Sequence, residues 1–380
     1  MHRIADTFGP IPYVNYGSSS LYDALDLVYN KFFEELDNAI EVLSNYVNGN
    51  VDAKLMSDYD CVYGGDVEKW VKFANTLRLR LAIRVSYANP TLAEAQAKKS
   101  MENMFGFIES KAERAELSHN SLEYHHPLHE IAYNFNSGDC RPGATIVAYL
   151  NGLNDSRISS YFTAADDGEY HGVRIGITTS NMSNYQGNKI SNLNINRAST
   201  PVVWMTAAES FFLRAEGALR GWDMGGTAKS FYEQGVRMSF EENNAAGVDD
   251  YLADHTSTPG AFADNVGSDN YTFSSRVTPA WDDNAGFEAQ LERIITQKWI
   301  AIYPDGPEGW SEYRRTGYPE VIPVVRNSSN GTIDTQLQVR RLPYTRDEKI
   351  NNASGVASGI SALGGQDTGG TKLWWDKKSR

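Results

Sequence analysis

The segment QKWIAIYPDGPEGWSEYRRTG, Gln297 to Gly317, sets carboxylates among aromatic rings and cations. Asp305, Glu308 and Glu312 are acidic, Trp299, Tyr303, Trp310 and Tyr313 are aromatic, and Arg314 and Arg315 form a double arginine. Carboxylates flanked by rings suit glycoside cleavage, in which one acid protonates a leaving oxygen and a second carboxylate serves as base or nucleophile. Glu308 and Glu312 are four residues apart, so a helix here places them on one face, with Arg315 three residues beyond Glu312. Neighbouring arginines keep carboxylates ionised, which favours ion pairing and opposes proton donation. The segment therefore reads first as a structural ion-pair network beneath packed rings. A glycoside-acting enzyme using two of the chain's carboxylates is the rival.

Other motifs carry less. GWDMGGTAKS imitates a phosphate-binding loop, but that pattern needs glycine directly before the lysine, and Ala228 stands before Lys229. EYHHPLHE gathers His125, His126, His129 and Glu130, yet Pro127 interrupts the helix that would align two histidines on zinc. Asp166 to Glu169, DDGE, lacks the spaced oxygen ligands of a calcium loop. No G-x-S-x-G elbow anchors nucleophilic hydrolysis. The expectation is no metal and no cofactor.

With 380 residues, 41% of them hydrophobic, the chain can bury a sizeable core. A net charge of −13 repels phosphate backbones and sets nucleic acid aside as a partner. Composition leans toward rings, with 21 Tyr, 15 Phe and 8 Trp, whose apolar faces and polar edges suit ligand surfaces as well as cores. Cys61 and Cys140 are too far apart for a C-x-x-C site; one disulfide between them stays open. No apolar run reaches the roughly eighteen residues of a membrane span, and Met1-His2-Arg3 leads into no apolar signal segment. DTFGPIPY, Asp6 to Tyr13, reads as loop, so the chain is expected to be the later part of a longer protein.

These residues need a scaffold, and its periodicity is helical. After a capping cluster at Ser18, Ser19 and Ser20, apolar residues at 25, 28, 32, 36, 40 and 43 form one stripe. Asp66 caps a second helix with Trp70, Ala74, Leu77, Leu81 and Val85 on one side and Arg78, Arg80 and Arg84 on its other faces. A third runs from Leu92 to Met104. Helical order returns at Ala207 to Gly221 and Thr227 to Asn244, where Ala228, Tyr232 and Gly235 match part of a tetratricopeptide second helix. Ala215, Ala218 and Gly235 supply the small residues that a close helix crossing requires. Such a pair cannot bury its apolar face alone, so the early helices are its expected partners. A further helix carries Phe287, Leu291, Ile294, Ile295 and Ile302. Residues 120–201 and 249–284 read as loops suited to binding, and the Gly/Ser-rich tail from Asn351 to Thr371 as extended or mobile.

Four blocks complete the pattern: GGDVEKWVKFANTLRLRLAIRVS (Gly64 to Ser86), YLNGLNDSRISSYF (Tyr149 to Phe162), AAESFFLRAEGALRGW, and QKWIAIYPDGPEGWSEYRRTGYP. In this order they resemble the SusD/RagB-like nutrient-binding lipoproteins of the Bacteroidetes outer membrane, in the subgroup whose ligands are poorly defined. The resemblance implies a mostly α fold of tetratricopeptide-like helix pairs with an irregular, loop-rich ligand-binding subdomain. It implies one SusD-like domain over 1–380, divided into a helical scaffold (1–119), an irregular insert (120–200), a tetratricopeptide-like pair (201–248), and a loop-rich region with a helix and C-terminal tail (249–380). It also implies a non-catalytic cell-surface protein that delivers glycans, or peptides in the RagB manner, to a SusC-type TonB-dependent transporter. A lipid anchor and further N-terminal helices belong to the family and are missing from this chain.

Sugar rings stack on aromatic faces while amides, carboxylates and guanidinium groups satisfy hydroxyls. Trp281, Tyr271, Tyr161 and Tyr185, all in irregular segments, are the expected stacking rings, with Asp139 and Arg141 of NSGDCRPG as polar partners. Trp70, Trp299 and Trp310 are assigned to the core. An interaction scaffold that binds only the transporter or peptides is the third alternative.

Overall fold

The computed structural model describes residues 1–50, 52, 54–117, 126–135, 140–177, 183–196 and 199–378. In chain order its helices are α1 (His2–Phe8), α2 (Leu25–Gly49), α3 (Val67–Arg84), α4 (Pro90–Glu102), the single turn α5 (Pro127–His129), α6 (Ala144–Gly152), α7 (Ile158–Tyr161), α8 (Ala207–Leu219), α9 (Ala228–Glu242), α10 (Val248–Leu252), α11 (Phe287–Ala301), α12 (Gly306–Thr316), α13 (Arg346–Asn351) and α14 (Ala353–Leu363). Two antiparallel ribbons accompany them, β1 (Ala115–Leu117) with β4 (Val202–Met205) and β2 (Phe162–Thr163) with β3 (Asn192–Leu193). The fold is mostly α, as the periodicity requires.

Leu25, Val28, Phe32 and Ile40 of the predicted stripe are buried on α2, which packs on α3. The serines do not cap it. Ala24 is the first flanking residue, and Ser18 Oγ instead donates to the Asn15 carbonyl within a loop. Asp66 caps α3 as expected, accepting from the Lys69 amide at 3.1 Å. In the pair α8 and α9 the small residues are required by distance: a Cβ on Gly235 falls 2.8 Å from the Phe212 ring. α8 also packs against α3 and α11, so the early helices do complete its burial.

Both chain ends depart from their reading. Asp6 to Phe8 close α1, and only from Gly9, at φ +96°, does the chain become loop. The glycine- and serine-rich tail is not extended, because it holds α14. Its small residues allow close approach: a Cβ on Gly359 lies 2.6 Å from the Tyr22 ring. Beyond α14, Leu373 and Trp375 are fully buried among Ala5, Ile11, Leu25 and Val28, tying the last residues to the first.

The arginines of α3 are buried, as is the charge of the opening segment. Arg84 donates to Glu312 Oε1 at 2.7 Å and to Glu308 Oε2 at 2.6 Å, and Arg80 Nε to Glu209 Oε1 at 2.8 Å. Lys298 Nζ reaches Glu308 Oε1 at 3.1 Å. Arg315 grips Glu216 at 2.7 and 2.6 Å and Glu312 at 2.6 Å. Four helices, α3, α8, α11 and α12, thus share one interior ion network. α1 joins it through Asp6, whose Oδ2 lies 3.6 Å from Arg84 Nε and whose Oδ1 accepts from Tyr29 Oη at 2.5 Å and Trp375 Nε1 at 2.8 Å.

Arg84→Met leaves Glu308 and Glu312 each short of a buried partner, so unfolding stability falls by about 3–5 kcal/mol, measured as a shift in urea midpoint. A loss below about 1 kcal/mol would show that the network is dispensable. A second outcome follows from pH. Burial pushes the Glu312 carboxyl up, but Arg315, Lys298 and Arg84 outweigh it and hold the group at about 2, against an ordinary 4.5. A depressed carboxylate contributes stability that is complete above the ordinary value and is lost as pH falls through the folded one. Stability therefore drops progressively below about pH 4.5, and Glu312→Gln flattens that part of the profile.

Candidate functional site

Glu308 and Glu312 are the carboxylates with the strongest catalytic appearance in sequence, and their environment removes that role. Burial opposes ionisation of Glu308, yet Arg84, Lys298 and Arg80 hold its carboxyl well below the usual range. Both groups stay charged and fully engaged with cations, so neither supplies a proton near neutral pH.

Of the six expected ligand residues, the five that are described are not gathered into one site. Trp281 is 7% exposed, packs its ring 5.3 Å from that of Tyr232, and donates Nε1 to Asp283 at 3.0 Å. Its face therefore covers α9 and is closed to a ligand. Tyr185 is also buried, donating to Asp264 Oδ2 at 2.6 Å. Tyr161 is buried, donates to the Ile300 carbonyl at 3.0 Å, and borders a cleft beside Tyr303. Tyr271 is half-buried, edge-on to Phe273, with its hydroxyl on Glu320 at 2.8 Å and Arg174 over its ring. Arg141 is half-buried, and Asp139 lies outside the described residues. Trp281 and Tyr161 end in separate local networks, while Tyr185 and Tyr271 are both tied to the 262–271 turn, Tyr185 through Asp264 and Tyr271 through its bridge to Phe262.

His126 serves as the cap of α5, accepting from the Leu128 amide at 3.2 Å; His125 lies outside the described residues. Among the described residues no group of three metal-ligating side chains occurs. No disulfide joins Cys61 to Cys140, which answers the question left open by their spacing.

Exposed rings collect elsewhere. Trp204 on β4, Tyr59 in the 54–66 loop and Trp70 on α3 line a groove of about 440 Å³, together with Leu43, Met56 and Leu117. Tyr59 is 80% exposed and Trp204 37%. Asp60 organises this wall. Its Oδ2 accepts from Trp70 Nε1 and the Gly65 amide, each at 2.8 Å, and its Oδ1 from the amides of Val62 and Tyr63 at 3.0 and 3.1 Å. Burial pushes the Asp60 carboxyl up, and these four donors more than reverse it, leaving it below the usual range. Gly65, at φ +85°, is required, since a Cβ there falls 2.7 Å from the Leu55 carbonyl. Trp70, assigned to the core from its spacing, is half-buried: its ring stands edge-on to Tyr63 and Phe73 and also lines the groove. The sequence signal that finds this wall is Tyr59-Asp60 followed four residues later by Gly64-Gly65, a turn whose acid caps its own amides.

Asp60→Ala removes four acceptor contacts from the loop while leaving the buried ion network untouched. Hydrogen exchange at the amides of Val62, Tyr63 and Gly65 accelerates by about tenfold or more, with little change in α8 and α9. Unchanged exchange would show that the carboxylate does not hold the groove wall.

A model of the SusD-like family, described as Susd and RagB outer membrane lipoprotein, matches residues 1–376. Among curated proteins nothing matches the chain. A chitin-binding SusD homolog from Flavobacterium johnsoniae is 42% identical with a TM-score of 0.95, covering 100% of this chain and 79% of its own. A SusD homolog from Bacteroides uniformis is 43% identical with a TM-score of 0.93, at 100% and 79%. One from Bacteroides vulgatus is 40% identical with a TM-score of 0.92, at 100% and 77%. The matches span the helix pairs, the ion network and the groove alike, and the chain belongs to the SusD-like family of SusD and RagB outer-membrane lipoproteins.

Proposed function

We propose that this protein is a non-catalytic glycan receptor of the cell surface that hands its ligand to a SusC-type TonB-dependent transporter, with the Tyr59–Trp70–Trp204 groove as its glycan site. The observation that carries this reading is the meeting of two exposed rings, Tyr59 and Trp204, with the Trp70 ring in one groove. Ring faces meet the C–H surface of a pyranose without needing charge, and Asp60 keeps Trp70 and the Tyr59 loop in place before ligand arrives, which lowers the ordering cost of binding. Chitin is the first ligand to try, because a relative 42% identical to this chain is a chitin-binding SusD homolog. Attachment to the outer membrane through a lipid anchor follows from the family; no helix among the described residues is long and apolar enough to cross a membrane.

Calorimetric titration with chitohexaose, followed by chromatography of the sugar, tests the proposal. The expected result is saturable binding with the hexasaccharide recovered intact. Trp204→Ala weakens it by about 10- to 30-fold, ~1.4–2 kcal/mol, and Trp281→Ala has no direct effect on affinity in protein that remains folded. Shortened sugar returns the carboxylates to consideration. Binding of peptides with no glycan binding moves the assignment to the RagB type.

A further inference from the structure

The β1–β4 ribbon has two faces, and alternation along β4 turns Trp204 toward the groove and Val203 toward the other side. On that second side lies a cleft of about 340 Å³, at the junction of the ends of α7, α9 and α11. This volume is near the lower end for small-molecule sites, enough for one ring rather than a chain of them. Its walls contain buried polar atoms that have no hydrogen-bond partner, among them Glu242 Oε2, Tyr303 Oη and Arg114 Nε. The other oxygen of Glu242 is committed, accepting from the Ala207 amide at the start of α8 at 2.9 Å. Unpaired buried polar atoms are costly, and three just behind the wall of one cleft are groups that a hydrogen-bonding guest pairs when their side chains turn toward it.

The charge of the walls selects the guest. Lys111 and Arg114 stand on the same cleft as Glu242, so once Glu242 is ionised a ligand of either charge meets a like charge. Burial raises the Glu242 carboxyl to about 7 despite the Ala207 amide and both cations. Asn194 and Asn243 add neutral amides, and the Tyr303 and Tyr161 rings, 4.7 Å apart, give an apolar side. Neutral, polyhydroxylated and one ring in size describes a single sugar residue.

We propose that this cleft is a second binding site, for one neutral sugar residue, with Glu242 and Tyr303 as its hydrogen-bonding residues after small side-chain adjustments. The choice of sugar among polyols rests on the glycan reading of the protein, but the site is separate from the aromatic groove. Because Trp204 and Val203 are consecutive residues of one ribbon, a glycan held in the groove is adjacent in structure to the cleft behind it.

The test uses N-acetylglucosamine and glucose as probes, titrated by ligand-observed NMR near pH 8, where Glu242 is mostly ionised. One of them binds with Kd on the order of millimolar. Tyr303→Phe, which removes only a hydroxyl without a partner, weakens that binding by about fivefold or more and leaves the melting temperature unchanged or higher. Glu242→Gln keeps an acceptor for the Ala207 amide and weakens it by about tenfold. Trp204→Ala leaves monosaccharide binding unchanged while reducing chitohexaose binding. A cleft that takes up neither monosaccharide, or takes one up with equal affinity in Tyr303→Phe and Glu242→Gln, holds water only and overturns the proposal, whatever the groove does. Monosaccharide binding sensitive to both substitutions, with no glycan binding sensitive to Trp204, supports the cleft and rejects the groove.

Discussion

Burying charge is the constraint on which the architecture turns. Arg80, Arg84, Lys298 and Arg315 face Glu209, Glu216, Glu308 and Glu312 with almost no water access, and each must find its counter-ion from a different helix. An apolar interior of the same shape is often as stable or more so. What the ionic interior adds is intolerance of alternatives. A one-turn slip of α12 against α3 leaves Arg84 one carboxylate in place of two, because Glu308 and Glu312 are one turn apart, and no apolar repacking repairs that loss. Greasy helix pairs can slide; these cannot without stranding a charge. We regard register between helix pairs as the role of the network.

The helices were legible because their apolar spacing repeats at the helical period over many turns, and the α8–α9 pair because its small residues sit where two backbones must meet. The arginines of α3 were not legible as interior residues. Three arginines off an apolar stripe ordinarily mean a solvated face, and only partners distant in sequence reverse that meaning: Asp37 for Arg78, Glu209 for Arg80, Glu308 and Glu312 for Arg84. Local composition misled in the tail for a related reason. Glycine and serine signal flexibility when nothing packs on them, but at Gly359 and Gly370 neighbouring atoms lie where a Cβ would stand, so their smallness is a packing requirement.

The site was harder to read than the fold, and the difficulty is physical. An aromatic residue in a loop can cover the core or face a ligand, and both uses favour the same residue types. Trp281 and Tyr185 were drawn inward because their loops have apolar interiors to close and hydrogen-bond partners, Asp283 and Asp264, for their polar edges. Tyr59 stays outside because Asp60 spends both oxygens on its own loop and on Trp70, leaving the neighbouring ring nothing to fold against. The distinction depends on which polar partner lies nearby in space, and sequence spacing carries that information only for the tight turn at Asp60.

The groove and the ion network are also mechanically joined. The carbonyl of Trp204 accepts from Arg80 at 3.1 Å, and the same guanidinium binds Glu209, which caps the register of α8 against α3. The strand that presents the exposed ring is thereby fastened to the buried ion network, while Asp60 fastens the facing loop to the start of α3 through Trp70. Both walls of the groove are thus referenced to one helix, α3, from opposite ends of its first four turns. A receptor that holds a repetitive, weakly distinguishing polymer gains little from individual contacts, each worth a stacking interaction. It gains from not having to order its platform at each encounter. Anchoring both walls to a helix whose position is fixed by buried charge supplies that order in advance.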